Sequence, residues 1–176
     1  MYSKAKILGH PIHPMLVAFP VAFYTATLVT FIVYAASSNV FWFRFAYVTN
    51  WAGVATAAIA AVPGLIDWAT GIPRRSPAKK TGLIHMVLNV AALLAFLINA
   101  IALREYWDEL LPPEGAGIAL SAIGVLLTLP AGFLGWSLVQ DHRVGVQLTA
   151  EQERLEPDNP GVSGGQGRVG GRVATH

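Results

Sequence analysis

Four runs of apolar residues, each long enough to cross about 30 Å of hydrocarbon as a helix of roughly 20 residues, constrain this chain more than any other feature. They extend from Pro14 to about Ala36, from about Phe45 to Ala69, from Gly82 to Leu103 and from Gly117 to Val139. None alternates like a barrel strand. Backbone groups in lipid must pair internally, so helices are the remaining solution. The connections, Ser37 to Arg44, Thr70 to Thr81 and Arg104 to Ala116, are short, which makes successive helices antiparallel neighbours. The expected fold is all-α: a polytopic membrane protein built as an antiparallel bundle of four transmembrane helices. No repeat is evident along the chain, so residues 1–146 read as one domain. From Gln147 acids and then a Gly-rich run replace the apolar pattern, and residues 147–176 are expected to form a disordered cytoplasmic tail.

Composition agrees with a lipid environment. Only 12% of the 176 residues are charged and 54% are hydrophobic, with a mean hydropathy of +0.51. A charge of +2 spread over so few ionic groups gives no basic face for nucleic acid. With no Cys, disulfides, thiolate-held clusters and covalently attached haem are excluded. Ten of the 12 Lys and Arg residues fall on one side of the expected topology: Lys4 and Lys6, then Arg74, Arg75, Lys79 and Lys80, then Arg143, Arg154, Arg168 and Arg172. Only Arg44 and Arg104 fall on the other, where Glu105, Asp108, Glu109 and Glu114 gather. The positive-inside rule then places both termini in the cytoplasm, as a multi-pass protein of a bacterial inner membrane. The first run exceeds the apolar core of a signal peptide and is expected to remain as an uncleaved helix. Trp42, Tyr47, Trp51 and Trp107 at one boundary and Trp68 and Trp136 at the other form an aromatic belt.

Small residues promote close helix approach in lipid, and Gly53, Ala57 and Ala61 recur at intervals of four in the second run. Pro20, Pro63 and Pro130 each lack a backbone donor and are expected to kink their helices, freeing the carbonyls of Leu16, Ile59 and Leu126. The topology also sorts the histidines. His10 and His13 precede the first helix, His85 lies a turn into the third and His142 follows the fourth, so all four belong to the cytoplasmic end. Asp67 joins them from the end of the second helix as the one acid within an apolar span, where an unpaired carboxylate costs several kcal/mol. His10 and His13 are three apart, which lets both rings face one point, and Asn89 stands one turn beyond His85 as a hydrogen-bond partner.

Neutral imidazole suits haem iron, zinc and non-haem iron. Two expectations follow. The preferred one is a haem b with His85 as one axial ligand and His10, His13 or His142 as the other, its propionates neutralised by Arg74, Arg75, Lys79 and Lys80. The other is a single zinc or iron ion held by three of His10, His13, His85 and His142 with Asp67. The haem would make the chain a redox component passing electrons to or from quinone or a membrane redox complex, whereas a single ion closed by four protein ligands would be structural and one with an open position would allow catalysis. An expectation from another class is an accessory or structural subunit of a larger membrane complex, alone or as a homo-oligomer, in which the polar cluster fixes helix register. No nucleophile triad, P-loop or dinucleotide fingerprint occurs, and no catalytic residue is assigned.

The segment Gly9-His10-Pro11-Ile12-His13-Pro14-Met15-Leu16-Val17, the segment Gly64-Leu65-Ile66-Asp67-Trp68, His85 with Asn89, and the Gly135-Trp136-Ser137-Leu138-Val139 run before His142 and Gly145 together resemble the bacterial membrane family known as domain of unknown function 2231. The resemblance covers about residues 8–146. It implies a four-helix membrane protein and, through relatives that look fused to Rieske-type iron–sulfur domains, an association with electron transfer. This chain has Phe31 where the first helix of such proteins often carries an Asp.

Overall fold

The structure is a computed structural model and describes residues 3–146, 149 and 151; nearly all of the expected tail lies outside the described residues. A small antiparallel hairpin, β1 (Lys6–Ile7) and β2 (His10–Pro11), leads into a short helix α1 (Ile12–Leu16). The long helices follow: α2 (Ala18–Ser37), α3 (Val40–Ile66), α4 (Pro77–Ala102) and α5 (Gly115–Gln140). With α1 continuing into α2, the chain has four helices long and apolar enough to cross a membrane. At 1.5 Å per residue a 26-residue helix extends about 39 Å. Bulky apolar side chains such as Ile32, Val62, Leu94, Leu126 and Phe133 are exposed around the outside, as lipid-facing residues must be.

The helices overrun the apolar spans where capping chemistry allows. Ser38 adopts the left-handed conformation (φ 51°) that ends α2, and Asn39 then accepts from the Phe41 backbone at 3.0 Å to start α3. The first connection therefore shrinks from the expected Ser37–Arg44 to two residues. Pro77 at the first position of α4 likewise starts that helix five residues before Gly82. The expected kink at Pro20 takes the form of a break. Pro20 offers no N–H to Leu16, and the chain is interrupted at Val17, bridged by Val17 N–H to His13 O at 3.2 Å and Val21 N–H to Val17 O at 3.4 Å. At its other end α3 widens into a π-helical turn, Asp67–Gly71. Trp68 Nε1 donates to Lys79 O at 3.1 Å, Lys79 Nζ donates to Trp68 O, and the same ammonium stands 4.0 Å from the centre of the indole ring. That pair of exchanges fastens the end of α3 to the start of α4.

Packing divides the bundle into two hairpins. α2 lies mainly on α3 and α4 mainly on α5, while slighter contacts between α3 and α4 and between α2 and α5 close the ring. The hairpins correspond residue by residue. The Tyr24 ring rests on Gly53 and the Phe96 ring on Gly124; the His13 ring rests on Gly64 and the His85 ring on Gly135. A Cβ at Gly53 would stand 2.6 Å from Tyr24 and one at Gly64 2.8 Å from His13, so these seats require glycine. Tyr24 and Phe96 each follow their histidine by eleven residues, and Gly53 and Gly124 each precede the histidine's seat by eleven. Across the bundle Tyr24 stacks on Phe96, with ring centres 3.7 Å apart and planes within 1°. His13 meets His85 at 6.1 Å. These correspondences describe an approximate two-fold axis down the bundle, a repeat that the sequence reading did not register because few of the paired positions carry the same residue.

Candidate functional site

All five residues singled out from the sequence do lie at one end of the bundle, but they do not assemble into one site. Among the described residues no three His, Asp or Glu side chains form a group able to hold a metal ion. The expected ligand set of His10, His13, His85, His142 and Asp67 resolves into a clamp, a pair and two separate histidines.

Asp67 forms the clamp. Its carboxylate is only 8% exposed and accepts three hydrogen bonds: Ser3 Oγ at 2.7 Å, Lys4 N–H at 2.6 Å and Ala5 N–H at 3.0 Å. Both oxygens are engaged, Oδ2 by the hydroxyl and Oδ1 by the two amides. Such charge-assisted bonds offset the burial of the carboxylate, and they hold the N-terminal segment against the end of α3. Ala5 O in turn accepts from Ile12 N–H at 3.0 Å, so the clamp also fixes where α1 begins. Pro11 and Ser3 also lie against Gly145, where an added Cβ would meet Pro11 at 3.3 Å and Ser3 at 4.0 Å. Asp67 thus has no oxygen directed at a histidine, because backbone donors from residues 4 and 5 reach it first.

His13 and His85 form the pair. His13 Nδ1 donates to Ala60 O at 2.8 Å, and His85 Nδ1 donates to Ala131 O at 2.7 Å. A carbonyl only accepts, so each neutral ring carries its proton on Nδ1 and keeps its lone pair on Nε2. In each case the carbonyl belongs to the residue four before the glycine on which the ring rests, so the seat and the hydrogen bond together fix the orientation of the imidazole. The rings are perpendicular, with an interplanar angle of 89°. Asn89 Nδ2 donates to His85 O at 2.8 Å and to His85 Nε2 at 3.2 Å, so the expected partner of His85 engages its second ring nitrogen. The carbonyls used are those of Ala60 and Ala131, each one residue beyond Ile59 or Pro130, and not the ones that the prolines free.

The remaining two histidines stand apart. His10 is exposed on the hairpin and donates from Nδ1 to its neighbour Leu8 O at 3.0 Å. His142 lies in the turn after α5, its backbone N–H donating to Ser137 O at 3.2 Å. Arg74 and Arg75 are exposed in the α3–α4 connection and Lys80 is exposed at the start of α4, whereas Lys79 is engaged with Trp68. Sequence reasoning missed Ser3, the two glycine seats and the two alanine carbonyls. The seats had a signal in the sequence, since glycine recurs at an interval of eleven in the second and fourth spans alike.

Neither the curated proteins nor the solved structures contain a match to this chain. A family model described as predicted membrane protein (DUF2231) matches residues 9–148, which takes in the doubled His-Pro segment, both glycine seats and all four long helices. With most of its length matched and four helices fit to cross a bilayer, the chain belongs to the DUF2231 family of predicted membrane proteins.

Proposed function

We propose that this protein is a redox component of the bacterial inner membrane, both termini cytoplasmic, in which His13 and His85 hold one haem b between the two hairpins and exchange electrons with quinone or a membrane redox complex. The observation that carries this reading is the number of donors that meet. Haem supplies four nitrogens of its own and takes at most two axial ligands from the protein, whereas a bare zinc ion takes about four ligands from protein or solvent. Two imidazoles with rings oriented through Nδ1 suit the former, with the His85 Nε2 lone pair engaged only by the Asn89 side chain. Hydrogen bonding of Nδ1 to a carbonyl is the usual support for a ligating histidine. Haem would supply one-electron chemistry, its potential set by bis-imidazole ligation and by burial. Asn89 would keep its bond to His85 O and give up the approach to Nε2. A single zinc or iron ion at the same pair would need further ligands from solvent or a partner.

A second reading has its own supporting observation. The two Nδ1 bonds tie α2 to α3 and α4 to α5, and Asp67 is fully engaged by the N-terminal segment. These polar groups could serve register alone, as in an accessory subunit of a membrane complex. Visible spectra and metal analysis of protein purified without chelator separate the two. A Soret band lost in both His13→Ala and His85→Ala, and kept in His10→Ala and His142→Ala, is the expected result. Stoichiometric zinc or iron with no Soret band supports the bare ion, and absence of both overturns the cofactor reading in favour of the accessory one.

A further inference from the structure

Some distance from the histidines, four fully buried polar side chains, one from each long helix, share a level: Thr27, Asn50, Asn99 and Ser121, all 0% exposed. Thr27 and Asn99 follow His13 and His85 by fourteen residues, and Asn50 and Ser121 precede Gly64 and Gly135 by fourteen, which puts the layer about 21 Å along the bundle. Most of their donors are spent on helix backbone. Thr27 Oγ1 donates to Phe23 O at 2.8 Å, Ser121 Oγ to Gly117 O at 2.6 Å, and Asn99 Nδ2 to Gly117 O at 3.3 Å. Asn50, with its amide turned to satisfy its surroundings, engages Phe96 O at 3.2 Å and Ala100 N–H at 3.1 Å. Among the described residues two buried side-chain oxygens stand without a hydrogen-bond partner, Asn99 Oδ1 and Tyr24 Oη. Tyr24 is a turn before Thr27, and the ring it stacks on, Phe96, is a turn before Asn99.

We propose that this layer binds water: at least one internal water molecule donates to Asn99 Oδ1 and satisfies the Tyr24 hydroxyl, making a hydrated polar site on the bundle axis beyond the Tyr24–Phe96 stack. A buried carbonyl oxygen left unpaired costs about 1–3 kcal/mol, and buried polar groups without protein partners are where internal waters reside. The guest must donate, because the site offers an amide oxygen and hydroxyl lone pairs whose own protons are committed. It must also accept from, or donate to, a phenol. Water does both, and no carboxylate in the layer favours a cation over it.

X-ray radiolysis, which generates hydroxyl radicals from bound water in place, tests this on the intact protein in nanodiscs. Phe96 and Phe43 are equally buried, each 0% exposed, and of the two Phe96 contributes a group to the layer, its carbonyl bonded to Asn50. Labelling of Phe96 several-fold faster than Phe43 is expected, and Asn99→Leu should bring Phe96 down to the rate of Phe43. Equal rates in the unmodified protein, or an unchanged Phe96 rate in Asn99→Leu, overturn the proposal. Where Asn99→Leu does not accumulate, Tyr24→Phe removes the other unpartnered oxygen and should lower the Phe96 rate in the same direction; no change there overturns it equally.

Discussion

Replacing Gly64 with alanine tests whether the histidine pair is positioned by its glycine seats. The new Cβ would stand 2.8 Å from His13 Nδ1 and 2.9 Å from Cε1, against an ordinary carbon contact of about 3.5–4.0 Å. The ring must retreat by about 1 Å, and the 2.8 Å bond to Ala60 O then stretches beyond hydrogen-bonding range. Overpacking costs about 1–3 kcal/mol and the lost bond about 0.5–1.5 kcal/mol. Alanine regains up to about 1 kcal/mol of helix propensity, so the net loss is about 0.5–4.5 kcal/mol. Gly132→Ala isolates the propensity term, because nothing lies within 4 Å of a Cβ there. Unfolding in mixed micelles against the mole fraction of SDS gives the difference, and 15N NMR of the histidine side chains reports directly on the Nδ1–H bond of His13. Gly64→Ala should fall about 1.5–4.5 kcal/mol below Gly132→Ala, combining the overpacking and hydrogen-bond terms, with the His13 signal displaced. Stability within about 0.5 kcal/mol of Gly132→Ala, or an unmoved His13 signal, would refute the seat argument.

Other consequences can be checked in the same preparations. Asp67→Asn keeps an acceptor for the Lys4 and Ala5 amides and should cost about 1 kcal/mol while leaving any bound haem or metal in place; loss of the cofactor with the fold intact would make Asp67 a ligand after all. Asp67→Leu removes all three bonds, so amide exchange of residues 4 and 5 should rise and limited proteolysis should cut the N-terminal hairpin first. Phe96→Ala removes a fully buried ring stacked on Tyr24 and should cost about 3–5 kcal/mol, measured by the same SDS titration. Lys79→Met should lower stability by about 1–2 kcal/mol through loss of its bond and ring contact with Trp68, whereas exposed Lys80→Met should stay within about 0.5 kcal/mol.

The four spans were legible because lipid leaves a chain few options: runs of about 20 apolar residues must be helices. Their ends were less so, since Asn39 and the Ser76-Pro77 step carry α3 and α4 into flanking residues that hydropathy alone assigns to loops. The candidate histidines do share one end of the bundle. Which two would meet was not legible, because it depends on helix rotation, and rotation is set by the glycines at 64 and 135 that receive the rings. Asp67 was recognised as a buried acid needing partners, but two of its three donors are backbone amides, which every residue except proline possesses and no sequence pattern marks.

The approximate two-fold axis separates what builds the bundle from what specialises it. Both halves keep a histidine, an aromatic ring eleven residues on, and two glycines that receive them, so these serve a role common to the two hairpins: bringing one imidazole from each to the axis. The polar groups that differ between halves cannot be needed for that role. Leu138 occupies the position that matches Asp67, and Val17 the one that matches Asn89. Asp67 belongs to the first hairpin, where its carboxylate holds Ser3, Lys4 and Ala5 ahead of α1. The second hairpin is entered from α3 through a short connection, already fastened by Trp68 and Lys79. An intramembrane carboxylate in one half alone is thus accounted for by the way the chain enters that half, and the axis site is left to the two imidazoles.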